Sequence, residues 1–389
     1  MQVPIEYGAT KTTLEIDPSR LIAIQRDSYP TPLSDPMAAV RQALESPRRY
    51  PALRRSLTPD DRVTIVVDDY VPQADRVLGL ILDHITSAGV ATDAITIVST
   101  PGSPQKWIDE LPDEFADVHL ELHDPNDRKR LAYLATTKDG LRVYLNRTVV
   151  EADQLVIASA PRYGAGGVPL GAESLVFPSL SDAETRRKWS PDGSQRDNAE
   201  ILWLLGAPFV VQVIAAANDG IAEVIGGSLD TLADGRAALR KYWQVTIPPV
   251  ELAIASVSCG STPIDTSDLA KATSAAAAIV RSAGRIIVLS DSAGDIGEGF
   301  QRMLATDDVA TAIGALKKAP SLDAAAALDW LHSVRDCRVM LLSGLPSETV
   351  EGLFATPIED IRQVQKLVDA GGSCAILPDA QRMSTLRAE

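Results

Sequence analysis

The sequence predicts an α/β protein of two domains, each with a largely parallel sheet flanked by helices. The first observation is a run of β-branched residues, Val63–Val67, which ends in two aspartates. The second is that a helical pattern of apolar residues follows over residues 77–85, and another apolar strand pattern over 94–99. Strands that alternate with helices in this way form parallel sheets covered on both faces. The third is the length of 389 residues, since a single core stops growing at about 250–300 residues.

The same alternation continues along the chain. The first helix is predicted to end at Gly89, because glycine is common just past a helix C-terminus. Further strands are predicted at residues 118–122, 142–145, 154–159, 209–215, 250–257, 284–290, 339–342 and 374–377, and further helices at 198–205, 231–242 and 267–282. Residues 161–178, rich in Gly, Pro and Ala, are predicted to form a long loop. We predict domains at 1–247 and 248–389.

Composition restricts the classes of partner. The formal net charge of −15 argues against nucleic acid or an anionic membrane as a partner, because both require clustered Lys and Arg. The three cysteines, Cys259, Cys337 and Cys374, are far apart, which favours a reducing compartment over a disulfide framework. The N-terminus has no apolar signal region, and no apolar run approaches the ~20 residues of a membrane helix. We therefore expect a cytoplasmic protein.

Candidate ligand-binding residues follow two of the predicted strands. Asp68 and Asp69 end the first strand, where carboxylates accept hydrogen bonds from ribose hydroxyls, coordinate a cation or cap the turn. Gly166 and Gly167 lie in the long loop that follows residues 154–159. Ligands of open α/β sheets bind beyond the carboxyl ends of strands, so these four residues are the predicted cofactor-binding set.

Two other patterns are weaker. His119 and His123 are four residues apart on a predicted strand and share a face, but no third ligand accompanies them, so no metal site is predicted. The glycines at 294, 297 and 299 precede a helix near Glu298, where backbone amides hold an anion or simply form a strand-to-helix turn.

The order and spacing of several segments resemble the lactate racemase family that uses a nickel-pincer nucleotide. These segments are IEYG at 5–8, PLSDP at 32–36, VVDDY at 66–70, NRTVVEADQLVIASAPRYGAGG at 146–167, SVSCGSTPID at 256–265 and GRIIVLSDSAGDIGEGF at 284–300. The resemblance covers nearly the whole chain. It implies two α/β domains with the active site in a cleft between them. It also implies a hydride shuttle on a 2-hydroxy acid, with one histidine on nickel, one lysine tethering the cofactor, and two histidines as base and acid.

Most of the family's catalytic residues are replaced in this chain. Asp69 matches the family's nucleotide-binding aspartate, but Val71 and Pro72 replace the Thr-Arg that follows it. The family's Gly-x-His reads Gly102-Ser103-Pro104, so Pro104 stands where one catalytic histidine is expected; Arg162 replaces the second, and Glu173 replaces the tethering lysine. Arginine stays charged near neutral pH and cannot act as a base there.

The positions expected to hold nickel and substrate are also changed. The nickel-binding histidine of the family would follow residues 183–185, yet no histidine occurs between His123 and His332. The Tyr-x-x-x-Lys of the second domain appears as Ala270 and Ser274, with Lys271 one turn away.

Three hypotheses remain open at this stage. In the first, a lactate racemase-like protein with a degenerate site binds a small hydroxy acid or nucleotide-like ligand in the inter-domain cleft. In the second, an active racemase or epimerase of a 2-hydroxy acid uses substituted residues, with Arg162, Glu173, His123 and Lys106 as candidates. In the third, the protein is a non-catalytic scaffold that acts through a homo-oligomer interface.

Overall fold

The structure is a computed structural model that describes residues 1–23, 30–136, 140, 142–188, 195–258, 264–294, 296–319, 321 and 323–388. The strands in chain order are β1 Gln2–Tyr7, β2 Thr10–Glu15, β3 Leu21–Ala23, β4 Val63–Val67, β5 Ile95–Ser99, β6 His119–Leu122, β7 Leu131–Thr136, β8 Arg142–Asn146, β9 Gln154–Ser159, β10 Arg162–Tyr163, β11 Pro169–Leu170, β12 Phe209–Ala215, β13 Ile221–Gly227, β14 Gln244–Ile247, β15 Val250–Ser256, β16 Val280–Leu289, β17 Arg338–Leu342, β18 Thr356–Ile358, β19 Cys374–Leu377 and β20 Ser384–Arg387. The helices in chain order are α1 Pro36–Glu45, α2 Ala74–Thr86, α3 Arg147–Val150, α4 Ala172–Val176, α5 Ala183–Lys188, α6 Gln195–Trp203, α7 Leu232–Trp243, α8 Thr266–Ile279, α9 Glu298–Leu304, α10 Val309–Lys318, α11 Ala324–Asp336, α12 Ser347–Gly352 and α13 Ile361–Asp369.

The described residues separate into two compact α/β units. The first unit contains residues 30–162 and 169–239, and the second contains the described residues of 1–29, 163–168 and 240–389. The sequence domains predicted at 1–247 and 248–389 are not the same divisions as these compact units, and they stay a prediction. No helix within the described ranges has both the length and the apolar character needed to cross a bilayer.

The first unit is built on a six-stranded sheet in the order β13-β12-β9-β4-β5-β6. Its neighbouring strands are parallel except for β12 and β13. Every residue of β4 is buried, because apolar side chains cover both faces of the sheet. One face packs against α1 and α2, and the other packs against the α3, α4 and α6 region. The predicted α/β architecture is therefore confirmed in this unit.

The second unit is built on a six-stranded sheet in the order β18-β17-β16-β15-β19-β3. All of its neighbouring strands are parallel. On one face, Ile5 and Leu14 of the β1–β2 hairpin pack with Val364 and Val368 of α13. Strand β3 pairs with β19, so an N-terminal segment completes a sheet whose other strands begin at Val250.

Three sequence predictions need correction. The alanine-rich helix ends at Ile279, because β-branched Val280 begins β16 and pairs with Val250 of β15. Strand β8 does not join the parallel sheet, because it forms an antiparallel hairpin with β7. Residues 161–178 are not one long loop, because helix α4 forms within them.

Some predicted features fall outside the described residues or have ordinary partners. Cys259 and most of the loop at 258–263 lie outside them, whereas Cys337 and Cys374 are free thiols. The glycine turn before α9 has partners from the protein itself: the Gly299 amide donates to both carboxylate oxygens of Asp323 at 2.9 and 3.0 Å. The turn interpretation therefore accounts for this glycine pattern.

A buried carboxyl at the end of β19 gives the fold a pH dependence. Asp379 is 5% exposed, and its Oδ1 has no hydrogen-bond partner among the described residues. Burial raises the pKa of this carboxyl to about 6, Arg382 opposes the shift and Glu6 adds to it. The folded state therefore holds a proton that the unfolded chain releases near 3.8, the ordinary pKa of an aspartate.

We expect Asp379→Asn to gain stability relative to the wild type as pH rises from about 4 to about 6.5. Wild-type stability declines through this window because the buried carboxyl must ionise, at ~1.4 kcal/mol per pKa unit and so ~2–3 kcal/mol in all. Urea unfolding of both proteins at several pH values measures the difference directly. A difference that stays constant over this window would contradict the assignment.

Candidate functional site

The acidic pair predicted from the sequence lies at the carboxyl end of β4. Strands β5 and β9 flank β4 on either side and run parallel to it, so the loops that follow all three strands meet at one edge of the sheet. The loop after β4 carries Asp68 and Asp69, the loop after β5 carries Ser103, and the segment after β9 carries Arg162. The structure brings these four residues together within the first unit.

Asp68 is buried and forms an ion pair with Arg162. Its Oδ2 accepts from Arg162 Nη1 at 2.5 Å and from the Ala160 amide at 3.3 Å, and its Oδ1 accepts from the Tyr70 amide at 3.2 Å. The guanidinium carbon of Arg162 lies 4.1 Å from the centroid of the Tyr70 ring, a cation–π geometry. Asp68 thus fixes the arginine that stands where the family resemblance placed a histidine.

Asp69 is half-buried and accepts a hydrogen bond from a residue of the neighbouring loop. Ser103 Oγ donates to Asp69 Oδ1 at 2.5 Å. Burial raises the pKa of the Asp69 carboxyl, and the adjacent Asp68 adds to this, while Ser103 and Arg162 oppose it. Ser103 directly precedes Pro104, which stands at the position of the family's other catalytic histidine, so the residue beside this second position is tied to an aspartate.

Glu173 is buried in the first turn of α4 and pairs with Arg236 of α7. Arg236 Nη1 donates to Glu173 Oε1 at 2.5 Å, and the Glu173 side chain is only 4% exposed. The start of this helix is fixed locally, because the Gly171 amide donates to Ser174 Oγ at 2.9 Å. The carboxylate that replaces the family's lysine is therefore neutralised by an arginine of the same unit.

His123 is buried and has both ring nitrogens bonded. Its Nε2 donates to the Ser181 carbonyl at 3.0 Å, and its Nδ1 accepts from the Asn146 amide at 3.3 Å. Burial lowers the pKa of this imidazole. This geometry indicates a neutral side chain that holds the 181 segment against β8, and it disfavours the candidacy of His123 as a catalytic base.

The remaining predicted residues are Lys106, in the loop that also carries Ser103, and the glycine pair Gly166 and Gly167. Lys106 is exposed beside buried Trp107. Gly166 and Gly167 have positive φ angles of 65° and 70° and belong to the second unit, where the Gly166 amide donates to Asp329 Oδ2 at 2.5 Å. A carboxylate of α11 thus already occupies the amide that was predicted to meet a cofactor.

Three important partners were missed by the sequence reasoning. Arg236 and Asp329 look like ordinary charged residues of amphipathic helices, and no sequence signal links them to Glu173 or Gly166. Tyr70 carried a weak signal, because it directly follows the aspartate pair. Ser103 lies in the motif where the family's histidine is lost, but spacing along the chain does not predict its bond to Asp69.

The side chains present do not fit a nickel cofactor held as the resemblance implies. Within the described ranges, no three His, Cys, Asp or Glu side chains are placed to hold a metal ion. The tethering position carries Glu173 paired with Arg236, and a carboxylate cannot form the bond that a lysine amine forms. The positions that follow residue 188, where the nickel histidine was expected, lie outside the described residues.

Comparisons with known proteins agree with the fold and with the sequence resemblance. Residues 7–166 match the family model of the lactate racemase N-terminal domain. The chain is 22% identical over 410 residues to a lactate racemase of Thermoanaerobacterium thermosaccharolyticum, which covers 95% of this chain and 94% of that protein. The solved lactate racemase apoprotein from Thermoanaerobacterium thermosaccharolyticum superposes with a TM-score of 0.81 at 18% identity, over 99% of this chain and 100% of that one.

A further solved structure, of a Thermotoga maritima protein, has a TM-score of 0.67 at 12% identity and covers 91% of this chain and 98% of its own. At these low identities the two solved structures show only that the fold is shared. The similarity to lactate racemase in sequence comes from the family model and from the curated relative. Taken together, the matches show a lactate racemase N-terminal domain at residues 7–166 and a similarity to lactate racemase in sequence and fold over nearly the whole chain.

Proposed function

We propose that this protein binds a small anionic ligand, a hydroxy acid or a nucleotide-like molecule, at the carboxyl edge of the first sheet, without the family's nickel-dependent hydride shuttle. The observation that carries the proposal is the pairing at the replaced positions. Arg162 pairs with Asp68, Glu173 pairs with Arg236, and Ser103 bonds to Asp69. The charged residues at two replaced positions, Arg162 and Glu173, each have an ion-pair partner, and Ser103 beside the replaced position Pro104 bonds to Asp69. This pattern supports a site rebuilt for another purpose.

The charges and donors at this edge support ligand binding. Arg162 is 26% exposed at its side chain, so its guanidinium reaches solvent while Asp68 and Tyr70 fix its position. Arginine recognises planar carboxylates and phosphates through paired donors. Asp69 offers a carboxylate for the hydroxyl groups of a ligand, and burial raises the pKa of this group. These groups bind and orient a ligand, but they do not supply the base that removes a hydroxyl proton at neutral pH.

The test is to produce the protein together with the cofactor-synthesis enzymes of the family and to measure nickel by elemental analysis and bound cofactor by intact mass spectrometry. The lactate racemase of Thermoanaerobacterium thermosaccharolyticum, produced in parallel, shows that cofactor is being made. We expect nickel far below one atom per chain and no interconversion of the lactate enantiomers. Stoichiometric nickel or racemisation would sink the proposal and favour an active racemase with substituted residues.

The binding half of the proposal has its own test. Lactate, other 2-hydroxy acids and nucleoside monophosphates are titrated into the protein by calorimetry, and Arg162→Gln is expected to weaken the best of them by about tenfold or more. Equal binding by the Arg162→Gln variant would show that the ligand does not use this edge of the sheet.

A further inference from the structure

A second concave surface in the first unit is formed between the β7–β8 hairpin and α5. We call it the hairpin pocket; it encloses about 1010 Å³, and its lining includes Asn126, Arg128, Arg142, Tyr144, Asp182 and Arg187. Neither Asp69 nor Arg162 is among its lining residues. The pocket is therefore separate from the site of the proposed function.

Backbone and side-chain hydrogen bonds connect the segments that form the hairpin pocket. The Ala183 amide donates to the Pro125 carbonyl at 3.1 Å, and the Asp182 amide donates to the Tyr144 carbonyl at 3.3 Å. On the opposite side, Arg147 donates to the Lys129 and Leu131 carbonyls at 3.0 and 2.9 Å. Three chain segments are thus tied together before any ligand arrives, and a preorganised site loses less entropy on binding.

The acidic groups of the pocket are already engaged. Asp182 Oδ1 accepts from the Glu184 and Thr185 amides at 2.9 and 3.0 Å, and its Oδ2 accepts from Thr185 Oγ1 at 2.6 Å. Glu184 also has an interaction partner. These hydrogen bonds fix Asp182 but do not remove its charge, so the lining sets three arginines against two carboxylates, Asp182 and Glu184, which leaves an excess of one positive charge.

The arginines of the pocket are not engaged in the same way. Among the described residues, no carboxylate lies within ion-pair distance of Arg128 or Arg142. Arg187 Nε donates to the Ala183 carbonyl at 3.1 Å, and its two terminal amino groups make no hydrogen bond to the described residues. Three guanidinium groups therefore line one rigid concavity with unused donors.

The residue beside Arg187 on α5 adds to the positive potential. Arg186 is half-buried, and in the described part of the chain its side chain makes no hydrogen bond or ion pair. Burial lowers the pKa of its guanidinium, with no carboxylate to offset the cost. A half-buried cation of this kind is stabilised when an anion binds nearby.

We infer that the hairpin pocket binds a small polyvalent oxyanion, held by Arg128, Arg142 and Arg187. A chain with a formal net charge of −15 repels anions over most of its surface, so a concavity lined by three arginines is a local exception. Guanidinium groups match phosphate and carboxylate oxygens through bidentate hydrogen bonds. Tyr144 and Asn126 supply further donors from the same wall.

The experiment titrates pyrophosphate and citrate into the full-length protein by calorimetry at low ionic strength. We expect at least one of the two to bind, and the Arg128→Gln/Arg142→Gln double variant to bind it about tenfold or more weakly. The matched control is Arg41→Gln, which removes an exposed arginine on α1 outside the pocket and should bind like the wild type. Thermal unfolding confirms that all variants are folded.

The two probes separate the possible sources of the oxyanion. Binding of pyrophosphate alone identifies a phosphate-bearing ligand, and binding of citrate alone identifies a polycarboxylate; either result supports the inference. If neither probe binds, or if the double variant binds as tightly as the wild type, the inference is overturned. Loss of binding in the Arg41→Gln control would equally overturn it, because the effect would then reflect overall charge.

Discussion

Replacing Glu173 by alanine is expected to lower the free energy of unfolding by about 3 kcal/mol. The Glu173 side chain is 4% exposed, whereas that of Arg236 is 30% exposed. Removing the carboxylate leaves a largely desolvated guanidinium without its partner, and water reaches that guanidinium only in part. Urea unfolding of the wild type and the variant measures the loss.

The control for this prediction is an ion pair of the same length in an exposed setting. Arg302 and Glu298 also lie 2.5 Å apart, but Glu298 is 63% exposed. Glu298→Ala should therefore cost at most about 1 kcal/mol. A Glu173→Leu/Arg236→Met double variant should recover most of the loss, because removing both charges leaves none uncompensated. Equal losses for Glu173→Ala and Glu298→Ala would show that burial does not strengthen the Glu173 pair.

Asp68→Ala is the second substitution with a large expected effect, again a loss of about 3 kcal/mol in unfolding free energy. The variant removes an acceptor of the Ala160 and Tyr70 amides at a buried strand end. It also removes the carboxylate partner of Arg162, whose Nη1 keeps its hydrogen bond to the Ala160 carbonyl at 3.2 Å. The stack of Arg162 over Tyr70 should loosen at the same time, because Asp68 holds one edge of the guanidinium.

Asp153→Ala is the matched control for the Asp68 prediction. Asp153 also accepts from a backbone amide and from an arginine, both of Arg62, but at an exposed position. It should change stability far less, as measured by the same urea titration. If ligand binding at this edge is intact in a folded Asp68→Ala protein, then the Arg162 position does not depend on Asp68.

The sequence was sufficient to predict the strands at the centre of each sheet. Val63–Val67 and Cys374–Leu377 are short apolar runs, and such runs are stable only with both faces of the sheet covered. Strands β1 to β3 were not predicted, since β1 and β2 mix polar and apolar residues, and β3 has only three residues. The pairing of β3 with β19 joins residues that no local pattern connects.

The sequence predicted only part of the candidate site, because the residues that contact one another there are far apart along the chain. The position of Asp68 and Asp69 follows from where a buried strand ends, so local pattern was enough. The partners of Asp68 and Glu173 lie 94 and 63 residues away along the chain, and only the folded topology brings them together. Family resemblance identified the positions that had changed, whereas the pairs that compensate for those changes required side-chain geometry.

The place of β3 in the second sheet also constrains how the chain is made. Leu21 of β3 pairs with Cys374 of β19, so the ribosome completes this strand more than 350 residues before its partner exists. All of the first unit is synthesised between these two strands, since it consists of residues 30–162 and 169–239; the six residues between these ranges, 163–168, belong to the second unit. Because domains generally fold as units during synthesis, the first unit can fold while the N-terminal strand still presents an unpaired edge. The second sheet can therefore be completed only late in synthesis, because β3 has no partner until β19 has been translated.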